Sequence, residues 1–337
     1  MLTVVTTGHD SAKPAQTQLP AGGRRQVLEA AKVATRAALQ YKNPMQALKR
    51  ILILYKNSPS PAETARSLRL WLGARGVESE MLSADVEPMP LRASAAASDA
   101  VLVLGGDGTL VGAARRLNGI RTPIAGMNFG RVGFLAELPA PGAGDWETPL
   151  SSLIEGRWAR ESHLTLSWRI LRREGAAWTA LGEGVAVNDV VTAHGVVARA
   201  VSLDLSIDGF LFSSLRCDGV IVSTPLGSTA YTASAGGPLT MPSMNAQIVT
   251  PICPFAGGFP PLALPAASVI RVESRRRDDQ VLLSVDGHDN LPLAFGDVLE
   301  IRGCPDQLHM LVSDPNWYLR RLRDRGIVTS GPGHRQY

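Results

Sequence analysis

Three stretches of this chain combine residue types and spacings that could do chemistry. The first is Gly105-Gly106-Asp107-Gly108-Thr109. Glycines let backbone N–H groups approach phosphate oxygens closely, and a helix starting there adds a dipole that favours anions. A carboxylate in such a place repels phosphate, so Asp107 suits orienting a hydroxyl, accepting its proton or helping to hold a metal. A tight strand-to-helix turn capped by Asp107 would look the same. The second is Asn188-Asp189, a polar pair inside the β-rich run from Val185 to Val191. Buried without partners, each group would cost about 1–3 kcal/mol. An adenine edge, a ribose diol, a bulge or a turn would each supply those partners. The third is Asp218 to Pro238, DGVIVSTPLGSTAYTASAGGP. Its small hydroxyl side chains and exposed amides suit phosphate and sugar, and Tyr231 offers a flat face to a ring. A structural crossover would have the same composition.

These groups need elements to position them. RILILYK from Arg50 and AVLVL from Ala100 are short apolar runs that predict buried strands, with a third at Thr122–Met127. Ala62–Arg75 puts Ala65, Leu68, Trp71 and Leu72 on one helical face, and a helix follows GGDGT over Leu110–Leu117. Strands alternating with helices predict a doubly wound parallel sheet, with GGDGT at the carboxyl end of a strand, where such sheets bind ligands. Beyond Pro139 the texture changes to many short β-rich runs, among them LTLSWRIL, RAVSLDLSIDG and QVLLSVDG, which predict antiparallel sheet. Asn316–Asp324 reads as a closing helix. Residues 1–23 are polar and read as a disordered arm, and Arg24–Gln40 as a surface helix or appended tail.

Composition bounds the rest. At roughly 150 residues per domain, 337 residues predict about two domains. Apolar residues at 45% and charged residues at 19% exclude disorder over most of the length. The net charge of +4 is mild, and no long basic block points to nucleic acid. No apolar run reaches the ~18 residues that span a bilayer, so no membrane partner is expected. The odd, widely spaced Cys217, Cys253 and Cys304 predict neither a disulfide framework nor a zinc site, and fit a reducing cytoplasm. The G-x-x-x-x-G-K-[ST] and G-x-G-x-x-G patterns are not the ones present, which argues against a P-loop and a dinucleotide-oxidoreductase fingerprint.

Together these residues resemble the NAD kinases. GGDGT at 105–109, NFGRVGFLAEL at 128–138, VNDVV at 187–191 and the 218–238 tract carry the resemblance, joined by TPICP at 250–254, VDG at 285–287 and YLRRL at 318–322. It covers about Lys49 to Ile327. GGDGT alone would not be specific, since diacylglycerol, sphingosine and phosphofructokinases carry similar motifs. The resemblance implies a Rossmann-like, doubly wound α/β N-terminal domain, a C-terminal all-β domain, and a last helix that packs back on the first. The expected divisions are an extension (1–45), the α/β domain (46–139), the β-rich NAD-binding domain (140–314) and a helix with its tail (315–337). It implies transfer of a phosphoryl group from ATP, with Mg²⁺, to the ribose 2′-hydroxyl of NAD, in a homodimer or homotetramer.

By position, Asp107 matches the proton acceptor, with Gly108 beside it at the NAD site, and Gly105, Gly106 and Thr109 form the phosphate loop. Asn188 and Asp189 match the pair that holds NAD. Arg199, Arg216 and Asp218 fall at nucleotide contacts; Arg216 goes with a preference for NAD over NADH, and Asp218 or the pyrophosphate would hold it. Thr229, Ala230, Tyr231, Thr232, Ala233 and Ser234 match a loop closing on the nucleotide. His288 falls at a further NAD contact, where Gln is usual; Leu226 stands where Thr is usual, and Phe255 and Pro260 where His and Arg are. Two other readings stay open: a related kinase of a lipid or sugar hydroxyl, and a non-catalytic dinucleotide sensor.

Overall fold

The structure, a computed structural model, describes residues 46–130, 133–195 and 199–328. The expected arm, the Arg24–Gln40 helix and the end of the basic tail lie outside the described residues. The first half alternates strand and helix: β1 (Arg50–Tyr55), α1 (Pro59–Gly73), β2 (Glu78–Ser83), α2 (Pro88–Ala96), β3 (Ala100–Gly105), α3 (Asp107–Arg116) and β4 (Ile124–Asn128). Pairing is parallel throughout, in the order β2-β1-β3-β4. Proline opens α1, where its missing N–H costs nothing, and Pro61, Ala65, Leu68 and Leu72 form its buried stripe. That stripe packs on Ile51, Ile53, Leu102 and Leu104, residues of β1 and β3.

Then come β5 (Leu138–Pro139), α4 (Glu147–Ile154), β6 (Ala159–Glu174), β7 (Ala177–Ala186), β8 (Asp189–His194), β9 (Val201–Ile207), β10 (Phe210–Cys217) and β11 (Gly219–Ser223). A 3₁₀ turn (Leu226–Thr229) and α5 (Tyr231–Ser234) lead into β12 (Ala246–Ile252), β13 (Leu262–Pro265), β14 (Val269–Ser274), β15 (Val281–Val285), β16 (His288–Leu293), β17 (Asp297–Val312) and α6 (Trp317–Asp324). A sheet ordered β13-β12-β11-β8-β15-β16 is antiparallel throughout. Its Val190, Val220, Val249 and Leu283 share one core with Leu166, Leu203, Ile270 and Leu299 of the other sheet.

The α/β and β-rich halves share a sheet, which the sequence reading did not anticipate. β17 pairs antiparallel with β6 and β14 and, at Met310, parallel with Ile124 of β4. The parallel layer therefore continues through β17 into β14, β9 and β10. As expected, α6 packs back on the first half: the Phe134 ring lies 5.7 Å from that of Tyr318. Among the described residues no helix is long and apolar enough to cross a membrane.

Candidate active site

The GGDGT motif sits where β3 hands over to α3. A side chain at Gly105 would collide with that of Thr109, so this turn requires glycine there. The half-buried Asp107 carboxylate turns to the 134–136 loop. Its Oδ2 accepts from the Phe134 amide at 2.6 Å, and its Oδ1 from the amides of Leu135 and Ala136 at 3.1 and 3.4 Å. A carboxylate has about four lone-pair positions, so this grip leaves room for about one further donor such as a hydroxyl. Beside it lies a cavity of about 760 Å³ lined by Gly106, Gly108 and Thr109, by Lys56, Ser58 and Ser60, and by Asp85, Arg115, Arg116 and His288. Backbone glycines, hydroxyls and three cationic side chains around a single carboxylate suit a polyanion.

Asn188 and Asp189 lie where β7 ends and β8 begins, so the pair is a turn between strands as well as a polar break. It is gripped from both sides. The Asp286 carboxylate accepts from the amides of Val187, Asn188 and Asp189 at 3.0, 2.7 and 3.2 Å. On the opposite side the Thr224 hydroxyl donates to the Val187 carbonyl at 2.6 Å, and the Thr224 amide to that of Asn188 at 2.9 Å. Gly227 lies against the Asn188 backbone, where any side chain would clash. The pair thereby faces a cavity of about 340 Å³, lined also by Ala230, Tyr231, Ser284, Asp286 and Gly287. Burial pushes the Asp189 carboxyl up to about 7, helped by the nearby Asp286 charge and opposed by the Tyr231 amide that donates to it. Burial also raises Asp286, against the three amides it accepts.

Eight of the predicted site residues line one of two cavities, and Asp107 lines neither. Gly106, Gly108, Thr109 and His288 line the larger one, and Asn188, Asp189, Ala230 and Tyr231 the smaller. His288 faces the phosphate-loop side rather than the Asn188 side, with its Nδ1 2.8 Å from the Asp286 carbonyl. Thr232 is fully buried and spends its hydroxyl on Ser223 Oγ at 2.8 Å, which supports the fold of the tract. Thr229 turns back to the Leu226 carbonyl at 3.5 Å, Ala233 is half-buried and Ser234 is exposed. Arg199, Arg216 and Asp218 are exposed, and no ion pair joins Arg216 to Asp218; a backbone bridge to Ala256 ties Arg216 down instead. The departures at Leu226 and Phe255 differ in setting, the first buried and the second 84% exposed.

Sequence reasoning gave no role to Lys56, Arg115, Thr224 or Asp286. The Asp-Gly pair at 286–287 was the available signal for the last. Both residues adopt positive φ, 52° and 72°, a turn that aims the Asp286 carboxylate back at the amides.

Comparison with known proteins places the chain in a family. A family model described as the ATP-NAD kinase N-terminal domain matches residues 79–157, and one described as the ATP-NAD kinase C-terminal domain matches 187–313. An NAD kinase of Nitratidesulfovibrio vulgaris is 41% identical over 285 residues, covering 84% of this chain and 93% of the relative. An NAD kinase of Lawsonia intracellularis is 33% identical over 287 residues, covering 85% and 98%. Two solved structures share the fold at 24% identity. Yeast NADH kinase complexed with NADH has a TM-score of 0.70 over 87% of this chain and 91% of its own. An NAD kinase from Archaeoglobus fulgidus in complex with ATP has 0.62 over 80% and 96%. With both domain models matched in order and relatives this similar along most of its length, the chain belongs to the NAD kinase family.

Proposed function

We propose that this chain transfers the γ-phosphoryl group of ATP to the 2′-hydroxyl of the adenosine ribose of NAD, giving NADP and ADP. The observation that carries this reading is the pairing of a basic, glycine-lined cavity with a smaller acidic one across the single turn Asp286–His288. The first suits the donor phosphates, with Gly105 and Gly106 shaping the turn and Gly108 and Thr109 facing the cavity. In the second, Asn188 and Asp189 hold the adenosine end of NAD while Tyr231 and its neighbours in 229–234 cover it. Arg199, Arg216 and Asp218 are assigned to outer parts of the nucleotide, with NAD preferred over NADH. In this assignment residues 46–139 carry the donor side and 140–314 the acceptor side.

The ribose oxygen forms the new bond to the γ-phosphorus while the bond to the bridging oxygen breaks, and the hydroxyl proton passes to Asp107. A hydroxyl is a weak nucleophile, so positioning and charge neutralisation supply most of the rate. Magnesium belongs with the donor, as an ion held chiefly by phosphate oxygens. Lys56, Arg115 and Arg116 neutralise the remaining charge. We place the enzyme in the cytoplasm as a homodimer or homotetramer. The test is to incubate purified protein with Mg-ATP and NAD and assay for NADP. Phosphorylation of a lipid or sugar hydroxyl instead, or NAD binding without turnover, would overturn the assignment.

A further inference from the structure

The loop that holds Asp107 is itself held from the far side. Arg325, the residue that closes α6, donates from Nη2 to the Gly133 carbonyl at 2.6 Å. That carbonyl belongs to the same peptide group as the Phe134 amide, which donates to Asp107 Oδ2 at 2.6 Å. A guanidinium and a carboxylate therefore sit at opposite ends of one peptide unit. Each polarises it toward the other, so the two hydrogen bonds strengthen together. One turn earlier on α6, Arg321 Nη2 donates to the Ala136 carbonyl at 3.0 Å, at the other end of the amide triad. Between them the buried Phe134 ring meets Tyr318 and Trp317 edge-on, at centroid distances of 5.7 and 6.4 Å. Trp317 Nε1 donates to Glu161 of β6 at 2.8 Å, which anchors the helix that carries both arginines.

We propose that Arg325, assisted by Arg321, is a positioning residue for the reaction: acting through the Gly133–Phe134 peptide, it fixes the orientation of the Asp107 carboxylate. The proposal rests on Asp107 being the proton acceptor of an NAD kinase. Neither arginine lines the two cavities described above. Their removal therefore leaves substrate binding alone and misaligns the carboxylate.

The experiment compares Arg325→Ala, Arg325→Lys and the control Arg323→Ala, whose side chain is 67% exposed and points away to Asp324. In Arg325→Ala, kcat falls roughly 5- to 50-fold, while KM for NAD and for ATP stay within about twofold. Arg325→Lys, which keeps one charged donor, recovers most of the loss, and Arg323→Ala matches the unmodified protein. In an Asp107→Asn background Arg325→Ala costs nothing further, because two groups acting through one contact are not additive. A kcat within twofold of the unmodified protein, or the same loss repeated in the Asp107→Asn background, would overturn the proposal. Amide hydrogen exchange separates this from failure of the functional reading. Phe134, Leu135 and Ala136 exchange faster in Arg325→Ala while β3 is unchanged, whether or not NADP is made, and unaltered exchange at those amides would refute the link.

Discussion

Asp107 and Asp286 each present a carboxylate to three consecutive backbone amides, those of 134–136 in the α/β half and of 187–189 in the β-rich half. The local device is the same and the use is opposite. At Asp107 the loop is the scaffold and the half-buried carboxylate, beside the basic cavity, is the working end. At Asp286 the carboxylate is the scaffold, and the turn it grips presents Asn188 and Asp189 to the acidic cavity. The surroundings differ accordingly. Asp286 is half-buried beside the buried Asp189 carboxyl, and both are raised; the cavity beside Asp107 is lined by cationic side chains. A carboxylate clamped by amides does not announce which partner acts. What lies on the far side of the clamp decides it.

Substitution at the two aspartates tests that contrast most directly. Asp107→Asn keeps the shape and one acceptor oxygen but removes the charge and the base, so kcat falls on the order of 10²–10⁴ with folding intact. Asp286→Ala leaves three amides without an acceptor and destabilises the fold by about 2–5 kcal/mol. It raises KM for NAD at least about tenfold, with a smaller change in kcat. Steady-state kinetics with thermal melts distinguish the two, and the contrast collapses if Asp286→Ala loses kcat alone or Asp107→Asn loses only affinity. Asn188→Ala comes next. It removes a side chain at the cavity wall without loosening the clamp, and should weaken NAD binding by about 1–3 kcal/mol at unchanged stability. Isothermal titration settles this, since unaltered affinity would reduce Asn188 to a turn former.

Legibility in the sequence tracked how local each interaction is. RILILY and AVLVLG announced themselves as buried strands because every residue between their ends is apolar, and GGDGT fell at the strand end that parallel sheets use. The edge strand ESEMLS escaped notice because an edge with half-exposed residues has no apolar run to display. The hairpin strand FLFSSLRC did too, since its exposed Phe210 and Leu211 break the alternation of a half-buried strand. The site was readable as residue types and unreadable as a clamp, for Asp286 lies 98 residues from the Asn188 amide it holds. A still longer separation in sequence hid Arg325 behind Gly133, 192 residues away. Arg216 shows the converse hazard. Its nearness to Asp218 in sequence suggested an ion pair, but alternate residues on an extended chain are not thereby partners, and the strand turns its backbone to Ala256 instead.

The smallest expected effect concerns protons rather than catalysis and isolates what makes the Asp286 end different. The Asp189 carboxyl titrates near 7 in the folded chain, chiefly through burial and then through the Asp286 charge, whereas an unfolded aspartate titrates near ~4. Between those values the folded protein holds a proton that the unfolded chain releases, so stability falls as pH rises through the window and levels off above about 7. Asp189→Asn is neutral at every pH and loses that slope. The variant and the unmodified protein should therefore be about equally stable near pH 4. The variant should gain steadily toward pH 7.5, reaching a margin of about 1–3 kcal/mol, which is below the ~4 kcal/mol ceiling for a three-unit shift. A residual slope survives in the variant, because burial also raises Asp286. Urea midpoints at pH 4.5, 6 and 7.5 measure this without any assay of activity. If the two proteins lose stability in parallel across that range, the Asp189–Asp286 carboxyl pair is not what sets the acidic cavity apart from the Asp107 site.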